Sequence, residues 1–264
     1  MIAARVILWT DGAHPVPENM ARDAELLAQV AAGMLPAPVL RLFTFSPPGV
    51  TLGRAQDAER ELDLARLRRD GVQWANRPTG GRAIWHDEEW TFSLATPFGV
   101  AGWAAAPGAA YQRTAELLAG ALRRLGVPAE LSAGTPRGPG APRARDGAAP
   151  PCFASSAKHE LVLGGRKLAG IAQRAVRGAL LQQGSLLLGG SHLRLADYVR
   201  ATPEQRLRLT ALMSAGTTHA GEHLGSDRSL DRFAAALAAE FISPDDIRGE
   251  AGARSLGLAA ISQR

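Results

Sequence analysis

Two residues stand out as able to do covalent chemistry: Cys152, the only cysteine of the chain, and Lys167, one of only two lysines with Lys158. They bracket a stretch that reads as strand, tight turn, strand. His159 to Leu163 alternates polar and apolar residues, and Gly164-Gly165 suits a two-residue hairpin turn. Lys167 follows two residues into the returning strand. A fold that brings this strand back sets the thiol beside an ammonium group. A nearby cation favours thiolate over thiol, and the thiolate is the nucleophile. A second reading stands for each residue: a lone cysteine also serves as a small buried hydrophobe, and Gly-Gly-Arg-Lys also makes a solvated turn.

Residues 76 to 94 form the second informative stretch. The Thr79-Gly80-Gly81 turn leaves the backbone open to close approach by a ligand, with Arg77 before it and Arg82 after it. Ala83–Trp85 and Trp90–Leu94 read as a hairpin with His86-Asp87-Glu88-Glu89 at its tip. His86 is there either a site residue or a polar turn residue. The loop matches neither the P-loop nor the dinucleotide fingerprint.

These groups need a scaffold, and the pattern supplies one. Strands are expected over 5–9, 39–45, 50–53, 72–75, 129–131 and 178–188. Pro17 opens a helix running to about Ala32, with Met20, Ala24, Leu27 and Ala31 on one face. Further helices are expected over 58–69, 107–125, 193–199, 203–214 with Thr202 as cap, and 229–241. Strands meeting through short turns favour an α+β fold, a mixed or antiparallel sheet flanked by helices, over a doubly wound one. Residues 133–151, rich in Ala, Gly, Pro and Arg, read as an exposed mobile loop leading into Cys152, either a gate or a neutral insertion. A catalytic domain is expected over 1–225, with 226–264 a helical extension packed on it.

Composition narrows the function classes. The chain has 264 residues, 46% of them hydrophobic, enough for a sizeable core. The net charge of +5 is nearly all arginine. It is scattered rather than gathered into the stripe of a nucleic-acid binder, and suits an acidic protein partner. One cysteine allows no internal disulfide. No segment approaches the roughly 20 apolar residues of a membrane span, and the N-terminal apolar run is short for a signal peptide. A cytoplasmic protein is expected.

Four spaced motifs carry a family likeness: Asn19-Met20-Ala21-Arg22-Asp23; Leu40-Arg41-Leu42-Phe43 through Leu52-Gly53-Arg54-Ala55-Gln56; Arg77-Pro78-Thr79-Gly80-Gly81-Arg82-Ala83-Ile84-Trp85-His86-Asp87; and Gly165-Arg166-Lys167-Leu168-Ala169-Gly170-Ile171-Ala172-Gln173. With them the chain resembles the lipoate and biotin protein ligase superfamily, and within it the cysteine-dependent octanoyltransferases. Arg82, where the ligases usually carry a third glycine, and the Cys152-Phe153 pair favour the transferases.

The resemblance implies transfer of octanoyl from acyl carrier protein to a lysine of a lipoyl domain, that of a glycine-cleavage carrier or a dehydrogenase E2 subunit. It implies no metal, no cofactor, no nucleic acid and no membrane. Cys152 would carry the acyl group and Lys167 would assist it. Arg77, Thr79, Gly80, Gly81, Arg82, His86, Gly170, Ala172 and Gln173 would bind substrate beside an acyl tunnel. The chain departs from the family at Asn76, where a second arginine is common, at Ile171, where a small hydroxyl residue is common, and at Gln183, where a histidine is common. An ATP-dependent lipoate-protein ligase and a non-catalytic acyl- or lipoyl-domain-binding homologue are the alternatives.

Overall fold

The computed structural model describes residues 6–100, 102–103, 106–134, 159–241 and 247–248. In chain order the elements are β1 (Val6–His14), α1 (Val16–Ala31), β2 (Val39–Phe45), β3 (Gly49–Leu52), α2 (Ala58–Glu61), α3 (Leu64–Arg69), β4 (Gln73–Asn76), β5 (Ile84–His86), β6 (Glu89–Pro97), α4 (Pro107–Arg124) and β7 (Glu130–Leu131). They continue with β8 (Leu161–Leu163), β9 (Arg166–Lys167), β10 (Ala169–Val176), β11 (Ala179–Leu187), a 3-10 turn (Ser191–Arg194), α5 (Leu195–Tyr198), α6 (Pro203–Gly216), α7 (Gly221–Leu224), α8 (Leu230–Ala238) and β12 (Ile247–Arg248).

The main sheet has the order β10-β11-β6-β2-β1-β12. β1 runs parallel to both β2 and β12, and the remaining pairs are antiparallel, which gives the expected mixed sheet. Two three-stranded sheets, β4-β3-β5 and β7-β8-β9, lie beside it.

Strand alternation sorts the main sheet into two unlike faces. On one, Trp90, Phe92 and Leu94 of β6 join Leu118 and Leu122 of α4 and Phe233 of α8 in the largest apolar cluster. The Trp90 and Phe233 rings stack at 4.6 Å, a contact worth about 1 kcal/mol beyond the area it buries. On the other face, register aligns Gly170, Ser185, Thr91 and Phe43 in one row across four strands, and Ala172, Gln183, Ser93, Arg41 and Trp9 in the next. Helix α1 covers this second face, placing Leu26, Leu27 and Val30 against Ile7 and Val39 at one end.

Several local expectations change. β5 and β6 do not form a hairpin: β5 pairs with β3 in a small sheet, whereas β6 lies between β11 and β2 in the main one. His86 is accordingly buried rather than at an exposed tip. The helix expected over 58–69 breaks at Leu62–Asp63 into α2 and α3, each started by an aspartate side chain, Asp57 and Asp63. On α1 Ala24 is exposed, and the buried face carries Asn19, Arg22 and Asp23 beside its apolar residues. The hairpin over 161–167 holds, with Gly164 at φ 58° and Gly165 at φ 73°. Thr202 caps α6 through a reciprocal pair with Gln205. The expected loop 133–151 lies largely, and Cys152 wholly, outside the described residues.

Candidate active site

The second face of the sheet, α1 and the small sheets enclose a cavity of about 90 Å³. Met20, Phe43, Phe45, Ile84, Ile171 and Ala172 give it apolar walls. Polar groups lie along it too: Thr51, Arg77, His86, Thr91, Gln183 and Ser185, with Lys167 and Gly170 also on its wall. Apolar space bordered by a few fixed polar groups suits a fatty chain carrying a reactive end.

Lys167 is held there by its backbone. The Thr218 amide donates to the Lys167 carbonyl at 2.9 Å, and Lys167 pairs with Val162 across the hairpin. Its stem passes Gly170, where an added Cβ would meet Lys167 Cε at 3.8 Å. Its ammonium donates to Glu160 Oε1 at 2.8 Å, and both side chains are about nine-tenths buried. Glu160 went unnoticed in the sequence. The signal was an acid placed one residue before a strand whose partner strand carries the only lysine beyond Lys158.

Arg77 is a keystone of the 77–82 loop. Its guanidinium donates to the Gly80 carbonyl at 3.0 and 2.7 Å, to the Arg82 carbonyl at 2.8 Å and to Thr51 Oγ1 at 3.2 Å. Gly81 sits at φ 98°, and a Cβ there would come within 2.5 Å of Arg77 Nη2. A Cβ on Gly53 would overlap the Gly81 carbonyl, so the two loops touch backbone to backbone. Asn76, in place of a second arginine, donates to the carbonyls of Gly53 at 3.1 Å and Gln56 at 2.9 Å and thereby holds the neighbouring loop.

Beneath the cavity lies a buried polar layer. Asp23 accepts from Arg41 Nη1 at 2.7 Å, Ser93 Oγ at 2.7 Å and Gln183 Nε2 at 2.6 Å. Gln183 Oε1 in turn accepts from Thr79 Oγ1 at 2.6 Å and the Thr79 amide at 3.3 Å. Gln183 thus uses both ends of its amide to tie α1 to the 77–82 loop. Arg41, fully buried, also donates to Asp11 and Asn19 and lies 3.9 Å from the Phe43 ring centre. These contacts account for the Asn19 to Asp23 motif.

His86 is fixed between Thr51 Oγ1 at 2.7 Å and Glu89 Oε1 at 2.6 Å, and stacks on Phe45 at 4.0 Å. A carboxylate only accepts, so His86 donates from Nδ1 to Glu89, while its Nε2 meets the Thr51 hydroxyl, which also accepts from Arg77. Glu89 Oε1 also accepts from Thr91 and Ser185.

Of the residues expected to bind substrate, Arg77, Gly81, His86, Gly170 and Ala172 line the cavity. Thr79, Gly80 and Arg82 shape it from behind through the bonds above. Gln173 is placed elsewhere: strand alternation turns it to the opposite face, where it accepts from Gln182 at 3.0 Å. Among the described residues no cluster of His, Cys, Asp and Glu could hold a metal ion, and no helix is long and apolar enough to cross a membrane.

The family model described as lipoyl protein ligase A/B catalytic domain matches residues 15–242, which take in every group just described except Asp11. The chain belongs to this family. The curated relatives include the octanoyltransferase LipM of Symbiobacterium thermophilum, 36% identical over 95% of this chain and 86% of that protein. Another is the octanoyltransferase LipM of Kyrpidia tusciae, 33% identical over 89% of this chain and 85% of that one. The kinship bears out the expectation of an acyltransferase of the octanoyltransferase kind. Among solved structures, a bipartite lipoate protein ligase from Thermoplasma acidophilum superposes with a TM-score of 0.69 at 18% identity, covering 100% of this chain and 94% of that one. Lipoate-protein ligase A bound with ATP gives 0.67 at 21%, covering 100% and 96%. At that identity the likeness speaks to the fold, and the expected α+β fold of this superfamily holds.

Proposed function

We propose that this protein moves an octanoyl group from acyl carrier protein to a lipoyl-domain lysine through a thioester on Cys152, in the cytoplasm and without ATP or any cofactor. The observation that carries the reading is the ammonium of Lys167 on the wall of an apolar cavity, in a chain whose relatives are octanoyltransferases along most of their length.

In the first half-reaction the Cys152 thiolate attacks the carrier thioester; a new S–C bond forms and the carrier S–C bond breaks. The departing thiolate takes a proton from the Lys167 ammonium. One thioester replaces another, so the step is nearly balanced in energy. In the second half the acceptor lysine, whose ordinary pKa is about 10.4, yields a proton to the Lys167 amine and attacks the acyl-enzyme. An amide N–C bond forms, Cys152 leaves as thiolate and the remaining proton goes to solvent. Backbone amides at Gly80-Gly81 or Gly170 are the candidates for steadying the oxyanion, at about 3 kcal/mol for such a donor. The +5 charge favours encounter with acidic carriers.

Intact-mass measurement after incubation with octanoyl-acyl carrier protein should show one added octanoyl group without ATP, and none in Cys152→Ser. A wild-type protein that stays unmodified, and instead loads free lipoate onto a lipoyl domain when given ATP and magnesium, would overturn the reading.

A further inference from the structure

The pair formed by Lys167 and Glu160 asks for more than the acyl transfer as written above. Glu160 has 9% of its side chain exposed and gives Oε1 to Lys167, whereas its Oε2 is buried with no hydrogen-bond partner among the described residues. Leaving a buried charged acceptor unmet costs stability, and among the described residues Glu89 Oε2 on the cavity side shares this state. The chain also spends backbone strain to place Glu160: His159, immediately before it, is a non-glycine residue at φ 66°. Main-chain bonds from His159 N to Ser132 O and from Ser132 N to Glu160 O, both 2.8 Å, then lock the segment to the strand end. Tyr111 is a nearby group that cannot neutralise the acid. Burial, and secondarily the Glu160 charge, hold its phenol above the usual range, so it stays uncharged.

We infer that Glu160 is a positioning residue that drives the second half-reaction by its charge. The inference rests on the proposed function. While Lys167 is an ammonium, the two charges compensate each other. Once Lys167 has given its proton to the departing carrier thiolate, Glu160 is left as a buried charge facing a neutral amine. That state is unfavourable, and it is relieved when the acceptor lysine delivers its proton to Lys167. The proton crosses from the acceptor nitrogen to Lys167 Nζ, no electron changes owner, and the freed amine attacks the thioester. Glu160 therefore pulls the acyl-enzyme forward, and the same charge works against the proton transfer that accompanies its formation.

The test separates the two halves on the full-length protein by rapid-quench intact-mass measurement, using octanoyl-acyl carrier protein as donor and a lipoyl domain as acceptor. In Glu160→Gln, transfer from the acyl-enzyme to the acceptor should slow at least tenfold while acylation runs as fast as in wild type or faster, so the octanoyl adduct accumulates. Glu160→Asp, which keeps the charge one methylene further back, should fall in between. A purely structural role would slow both halves together, and that result, or unchanged transfer in Glu160→Gln, overturns the inference. Should the Gln variant fail to fold, transfer by Glu160→Asp at the full wild-type rate overturns it as well. If wild type forms no octanoyl adduct at all, the proposed function fails and this inference falls with it; an adduct with no partition between the halves removes the inference alone.

Discussion

The Asp23 carboxylate on α1 and the Gln183 amide on β11 meet at 2.6 Å, joining a helix to a strand 160 residues further along the chain. The same amide takes the hydroxyl and backbone donors of Thr79 on its oxygen, so one neutral side chain closes the connection from α1 to the loop at the cavity. Gln183→Leu would leave Asp23 and Thr79 both short of a partner in a buried place. A loss of about 2–3 kcal/mol is expected, read as a lower urea midpoint with an unchanged slope. Gln183→His, which restores the residue common in the family and still offers one donor and one acceptor, should stay within about 1 kcal/mol of wild type. Equal stability of the Leu variant and wild type would show that this bridge carries no weight.

Arg41 is the counter-charge for Asp11 and Asp23 and is fully buried. Removing one partner of such a cluster strands the other charges, at about 3–5 kcal/mol. Arg41→Met should show that loss in equilibrium unfolding. Arg41→Lys should recover less than half of it, because an ammonium cannot span Asp11, Asp23 and Asn19 at once.

The two glycines of the 77–82 loop should respond differently. Gly81→Ala must hold alanine at φ 98° with its methyl against Arg77, a cost of about 1–3 kcal/mol. Activity should fall at least tenfold as the loop shifts. Around Gly80 nothing lies within 4 Å of an added Cβ, and its φ is not in the positive range, so Gly80→Ala should fold as wild type does. Measuring both variants side by side separates backbone strain from general crowding at the loop.

Stability should carry an acid limb from His192. Burial first, opposed in part by a bond to the Gly189 backbone, holds its imidazole below the ordinary 6.5, and its Nε2 is joined to Thr217 Oγ1 at 2.8 Å. The unfolded chain therefore binds a proton before the folded one does. The contribution is full above about pH 6.5 and is lost as pH falls from there through the folded value. His192→Gln should flatten this part of the profile in urea titrations between pH 7.5 and 5. An unaltered profile in the variant would remove His192 as its source.

How far the sequence revealed this site depended on the kind of pattern. The hairpin ending at Lys167 was legible because Gly164-Gly165 can take the positive φ angles that the turn needs, and α6 because Thr202 and Gln205 cap it. The buried layer was not. A helical wheel treats Arg22 and Asp23 as solvent-facing, whereas Arg22 meets Asp11 and Glu18, and Asp23 meets Arg41, Ser93 and Gln183. Local alternation likewise located β5 and β6 but could not say that they join different sheets, since sheet membership is decided by partners distant in the chain. Glu160 escaped because its importance lies in a contact across the hairpin. Cys152, the residue named most firmly from family likeness, lies outside the described residues, and its role stands on the proposed function and its test.

The two faces of β6 give the molecule a division of labour with a bearing on how it can be altered. Trp90, Phe92 and Leu94 point into the apolar cluster, while Thr91 and Ser93, the residues between them, point to the cavity side. Odd and even positions of one strand thus meet separate physical demands. Changes that retune which acyl group is accepted can accumulate on alternate residues while the hydrocarbon packing behind them is left alone.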